Sequence, residues 1–239
     1  MLADKGQSRP LAGLRDGLHQ PAEQFCKLIA FVAKLLPEWR NDPNRSEAIA
    51  EDALSDQLCD YLNAKSRLQP SYDSFQFQRE TRDDDSPSRN LDITAKPAGV
   101  SIVVTGRTYS IYDIFLPIEC KRLPTPNGGN RDEREYLYDQ HRTGGGGVQR
   151  FKLGHHGANH TVAAIIGYIQ EHDIPHWSDK IAGWIGKLIA APTPLWNMMD
   201  AIALEKHDKP QRLAILRSRN NRSNDLPDID LHHIWIEMN

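Results

Sequence analysis

The sequence predicts a mixed α/β domain, with helices flanking a central sheet. Three observations predict it. Apolar residues recur at helical spacing over residues 22–36 and 46–65. The period then changes to two from Phe75. Helical spacing returns after Val148, ahead of two closing strand patterns. A chain of 239 residues is long enough to bury one sizeable core. It divides into a leader with a first helix over residues 1–44 and a domain over 45–239, with its core at about 45–170 and an elaboration at 171–239.

Residues 1–20, rich in Gly, Arg, Asp and Gln, read as a loose leader. The first helix, over 22–36, places Phe25, Leu28, Ile29, Val32 and Leu36 together, and Pro37 with the polar run Asn41, Asp42, Pro43, Asn44 breaks it. Ser46 suits the N-cap of a second helix to about Lys65, with Ala50, Leu54, Leu58, Tyr61 and Leu62 as its apolar stripe. Residues 75–78 alternate as a strand, and 79–87 form a charged loop. Residues 89–96 alternate again, with Leu91 and Ile93 on one face and Asn90, Asp92 and Thr94 on the other. Residues 100–105 and 109–120 are β-rich around a turn at Gly106 and Arg107. Residues 122–147 read as a loop with one short helix at about 132–141, ending in four glycines, Gly144 to Gly147. Helices are expected from Val148, over 161–170 on Val162, Ile165, Ile166 and Ile169, over 175–190, and around 195–205. Strands over 212–217 and 231–237 close the chain.

Composition narrows the function classes. Hydrophobic content of 39% with 26% charged residues is that of a globular chain on the polar side. A net charge of −3 excludes a bulk-basic nucleic-acid coat, although a nucleic-acid enzyme needs only a basic binding face. Cys26, Cys59 and Cys120 lack metal-ligand spacing, which points to a reducing setting without structural zinc. The longest apolar candidate, 181–191, is interrupted by Gly183, Gly186 and Lys187, so no membrane span is expected. The first six residues lack a secretory apolar core, and a cytoplasmic location follows as an expectation.

The chemistry concentrates at residues 115–122, an apolar strand pattern that ends Glu119, Cys120, Lys121, Arg122. Alternation puts Glu119 and Lys121 on one face and the Cys120 side chain on the other. Opposite charges at the end of a buried strand are costly unless something uses them. A divalent cation on Glu119, with Lys121 beside a water or a phosphate, uses both. Asp92 stands on a neighbouring strand pattern and can return alongside Glu119. Glu47 and Glu51, one turn apart in the second helix, each offer a further carboxylate.

This set resembles the PD-(D/E)XK nuclease superfamily, in which metal ligands lie on two adjacent strands of a mixed sheet between helices. In that pattern Asp92 takes the first acidic position, Glu119 and Lys121 form the E-x-K pair, and Glu51 or Glu47 takes the helical glutamate position. The local text is also similar to restriction-endonuclease-like proteins found among bacterial defence genes. The shared features are residues 118–123, a Tyr before a glycine (Tyr136 or Tyr138), Arg150 with Phe151, and Ile166, Gly167, Tyr168 at the end of an apolar segment. The resemblance spans roughly residues 45–170, with Leu91 in place of the proline of the family's name.

It implies a restriction-endonuclease-like fold and an Mg²⁺-dependent (or Mn²⁺-dependent) nuclease. The implied target is DNA rather than RNA, in defence against foreign DNA. Asp92, Glu119 and Cys120 form the implied metal set, and Lys121 activates or positions the nucleophile. Arg122, Gln149, Arg150 and Lys152 are the implied nucleic-acid contacts, in a basic neighbourhood with Arg131, Arg134 and Arg142. Residues after Pro175 face a partner protein or a second copy, or simply cover the sheet. The alternatives are a non-catalytic subunit of the same fold and a phosphoesterase for small molecules. His156 and His160 stand four apart and would pair on zinc only in a helix, which Gly154 and Gly157 oppose.

Overall fold

The computed structural model describes residues 23–83, 86–126, 128, 131–141, 145–191 and 195–239. The leader expected over 1–20, and Arg142 and Gly144, lie outside them. The chain runs α1 (Glu23–Arg40), α2 (Glu51–Ser66), β1 (Phe75–Asp83), β2 (Ser86–Pro97), β3 (Ile102–Val104), β4 (Arg107–Tyr109), β5 (Leu116–Leu123), α3 (Gly147–Lys152), β6 (Val162–Ile169) and α4 (Ile174–Ala190). A single 3-10 turn (Met198–Asp200), β7 (Ala203–Asp208), β8 (Leu213–Asn220) and β9 (Ile229–Glu237) follow.

Seven strands form one mixed sheet in the order β1-β2-β5-β6-β9-β8-β7, and β3 with β4 makes a separate hairpin. The centre, β5-β6-β9, is parallel, and the strands to either side are antiparallel. Period-2 alternation divides the centre between two cores. Ile118, Cys120, Ala164, Ile166, Ile234 and Ile236 join the cluster that holds α1 and α2. Leu123, Ala163, Ile165, Ile169 and Trp235 join the cluster that holds α4. Among the described residues no helix is long and apolar enough to cross a membrane.

Several expectations are corrected. The charged loop expected over 79–87 is mostly strand, since β1 continues to Asp83 and β2 begins at Ser86. Residues 161–170 are not a helix but the central strand β6, buried at every position. A parallel strand covered on both faces reads as an unbroken apolar run, and its Val and Ile residues favour the pleated surface. The helix at about 132–141 is absent; residues 133–137 are turns. The helix at 195–205 is only the 3-10 turn, followed by the exposed edge strand β7. Helix α2 begins at Glu51 rather than Ser46, which leaves Glu47 outside it. Helix α1 also runs through Pro37 to Arg40, and burial of Trp39 against Tyr168, with ring centroids 5.9 Å apart, holds its last turn in place.

Candidate functional site

Strands β2 and β5 pair over only three positions, ending at Ile93 opposite Ile118. The next pair in that register is Asp92 opposite Glu119, and there the strands part. The amide of Cys120 therefore donates to Asp92 Oδ2 (2.7 Å) instead of to a backbone carbonyl. Asp92 and Glu119 share a face because cross-strand partners always do. Glu51 arrives at the same point from the first turn of α2: its Oε2 accepts from the Arg122 amide (3.0 Å) and its Oε1 from Lys121 Nζ (3.1 Å).

Lys121 holds the centre. Its ammonium lies 2.9 Å from Glu119, 3.1 Å from Glu51 and 3.8 Å from Asp92, and it donates to the Cys120 carbonyl at 2.8 Å. Burial alone would lower its pKa; the surrounding carboxylates of Glu119, Glu51 and Asp92 hold it well above the ordinary lysine value instead. Lys121 is thus a fixed cation rather than a proton acceptor.

Glu119 is wholly buried among basic side chains. Arg150 Nη1 donates to its Oε1 at 2.6 Å, and His156 Nδ1 stands 3.1 Å from its Oε2. Burial would raise this carboxyl, but Lys121, Arg150 and His156 together hold it well below the usual carboxylate range. Asp92 behaves oppositely: burial first, then the charge of Glu119, pushes it up to about 7. Glu80 would stand across from Asp92 on β1. Its left-handed backbone (φ 45°) and exposed side chain keep a fourth carboxylate out of the cluster, and the Thr81 and Thr94 hydroxyls pair there at 2.8 Å.

Of the residues expected at the site, Asp92, Glu119, Lys121 and Glu51 come together, and Glu47 does not. It is exposed, four residues before α2. The Cys120 thiol faces the opposite core, 3.5 Å from the Tyr168 hydroxyl, and only its backbone reaches the cluster. Arg150 and Arg122 border the cluster, but the other expected nucleic-acid contacts are occupied elsewhere. Lys152 is fully buried, with Nζ 2.5 Å from Asp200 and 3.0 Å from the Asn221 carbonyl, so it ties α3 to the 3-10 turn. Gln149 is buried too, its Oε1 facing the amides of Asp139 (3.4 Å) and Gly146 (3.5 Å). Arg131 and Arg134 are paired locally with Glu135 and Asp132.

The glycines at the start of α3 serve close packing. A Cβ on Gly146 would lie 2.3 Å from Tyr138 Cα, and one on Gly147 would lie 2.8 Å from the Tyr136 carbonyl and 3.4 Å from Lys121 Cγ. Sequence reasoning missed His156 as a neighbour of Glu119. Its loop, hooked to β1 by the Gly157 amide on Asp83 Oδ2 (2.8 Å), reaches the cluster only through tertiary folding. His160 is buried apart from it and pushed down to about 4 by burial and the nearby Arg107 and Arg222.

Among the described residues no set of three His, Cys, Asp and Glu side chains closes on one point as a ready metal cage, because the Lys121 ammonium stands between the carboxylates. The donors nonetheless suit a hard cation. Three carboxylates face the two fixed cations Lys121 and Arg150, and Glu119 Oε2 is buried with the His156 ring nitrogen beside it at 3.1 Å. The chain matches no protein-family model, no curated protein and no solved structure.

Proposed function

We propose that this protein is an Mg²⁺-dependent nuclease acting on DNA, with a restriction-endonuclease-like core and its centre where β2 and β5 part. The observation that carries this reading is one buried ammonium, Lys121, clasped by carboxylates from α2 and β5 beside a third from β2. Asp92 and Glu119, with the Cys120 carbonyl, would hold the cation, and Glu51 would support it. Bound there, a divalent ion supplies Lewis-acid charge and lowers the pKa of a water.

The chain's own groups do the rest. Lys121, whose ammonium form these acids favour, orients an attacking water and offsets charge on the phosphate. Arg150 keeps Glu119 ionised and presents its remaining N–H groups to a phosphate oxygen. The buried pair of Lys152 and Asp200 fixes the helix that carries Arg150. A role against foreign DNA follows from the resemblance of residues 118–123, Arg150 and Phe151 to defence-associated nucleases.

Incubation of plasmid DNA with the purified protein tests the reading. Nicking or linearisation is expected with Mg²⁺ or Mn²⁺, none with EDTA, and at least a hundredfold slower for Lys121→Ala. Equal residual cleavage by wild type and Lys121→Ala would instead assign the fold a non-catalytic role.

A further inference from the structure

Beside Arg122, whose amide donates to Glu51, lies a cavity of about 540 Å³ that the metal chemistry does not use. It opens at the C-terminal ends of the three parallel strands. Arg122 belongs to β5, Gln170 follows β6 and Met238 follows β9. In open α/β sheets this end is where ligands bind. Its walls are pre-arranged. Gln170 Oε1 accepts from Arg122 Nε (2.8 Å) while its Nε2 donates to the Ile49 carbonyl (2.7 Å), which binds three walls together. Arg45 lies over the Trp39 ring, 5.3 Å from its centroid, with Nε on the Arg40 carbonyl at 3.3 Å. Glu51 is the hinge between the two sites, with Oε1 on Lys121 and Oε2 on the Arg122 amide.

The lining chemistry selects the ligand. Arg45, Arg122, Glu47 and Glu171 all line it, and Ile49 and Met238 add apolar surface. The two carboxylates would repel a phosphate, whereas a nucleobase matches all three kinds of wall. Its N–H groups donate to carboxylates, its ring carbonyl or nitrogen accepts from guanidinium, and its faces stack on guanidinium and aliphatic groups. The volume is within the range of small-ligand sites. A base held in a duplex stack could not enter without leaving it.

We infer that this cavity holds an unpaired nucleobase next to the scissile phosphate, so that the preferred substrate is single-stranded or frayed at the cut. The inference rests on the nuclease reading for its placement next to the cut, but the base site itself can be tested alone. Deoxynucleosides, which carry no phosphate, are titrated into the full chain without metal and followed by NMR. At least one is expected to bind with a Kd on the order of 1 mM, and Ile49→Trp, a filling exchange at an exposed position, is expected to weaken it at least tenfold.

In parallel, Mg²⁺-dependent cleavage of a single-stranded oligonucleotide should exceed that of its fully paired duplex at least tenfold. That preference should be lost in Ile49→Trp and when abasic residues replace the bases. Absence of nucleoside binding, or binding untouched by Ile49→Trp, overturns the base site. So does equal cleavage of intact and abasic strands by the wild type. Nucleoside binding sensitive to Ile49→Trp, with no cleavage of any substrate, upholds the base site and removes the nuclease reading instead.

Discussion

Glu119→Ala is expected to cost about 3–5 kcal/mol in stability, the largest loss of any single exchange in the cluster. Glu119 is fully buried, and its removal leaves the Lys121 ammonium and the Arg150 guanidinium facing one another without the carboxylate between them. Glu51 and Asp92 can offset only part of this, since neither contacts Arg150 directly in a hydrogen bond. Urea unfolding without divalent ions measures the loss. Glu119→Gln, which keeps the shape and one acceptor but not the charge, should fall between the two. Both exchanges should also slow Mg²⁺-dependent cleavage at least about a thousandfold, equivalent to about 4 kcal/mol of transition-state stabilisation. A Glu119→Ala midpoint equal to that of the wild type would show that the buried cations are balanced by something other than this carboxylate.

Asp92→Asn should do the reverse to stability while still abolishing cleavage. The folded protein holds the Asp92 proton up to about pH 7, whereas the unfolded chain releases it near the ordinary aspartate value of 3.8. The folded state thus binds the extra proton between those limits. The stability it confers is complete below about pH 4 and is lost as pH rises through about 7. Asparagine does not titrate and can still accept the Cys120 amide. The variant and the wild type should therefore be nearly equal at pH 4, and at pH 8 the variant should be the more stable by on the order of 2 kcal/mol. This is less than the full shift would give, because 23% of the Asp92 side chain remains open to solvent. Urea midpoints at pH 4, 6 and 8 decide the point, and a variant less stable at pH 8 than at pH 4 relative to wild type would contradict it. Such a trade, stability given up for a crowded set of acids, is what a functional site leaves behind.

The legible parts of the sequence were those written in local periodicity. Alternation around Asp92 and around Glu119 assigned each acid a face, and the observed register places them opposite one another at the point where pairing ends. The first turn of α2 carries Glu51, as one of the two helical positions considered, but the unwound segment 46–50 takes Glu47 away from the cluster. Period fails where burial is complete. Residues 162–169 have apolar neighbours on both faces, so neither a helical nor an alternating pattern survives, and the central strand passes for a helix.

Charge was misleading for a different reason. Basic residues after a glycine run suggest a phosphate contact, yet Lys152 meets a buried Asp200 that comes from 48 positions further along the chain. His156 joins Glu119 by a similar long-range contact that no spacing could announce. The glycine run itself reads as looseness, whereas Gly146 and Gly147 are there because the chain passes against the backbone of Tyr138 and Tyr136 with no room for a side chain.

The central claim is that the acids gathered around Lys121 bind one divalent cation. Diffraction from crystals soaked in Mn²⁺, collected for anomalous scattering, addresses it most directly. A single strong peak is expected within bonding distance of carboxylate oxygens of both Asp92 and Glu119, with the Lys121 ammonium displaced from between them, and no such peak in crystals of Asp92→Asn. Manganese bound only elsewhere, or an undisturbed Lys121 with no peak beside it at saturating metal, would contradict the claim.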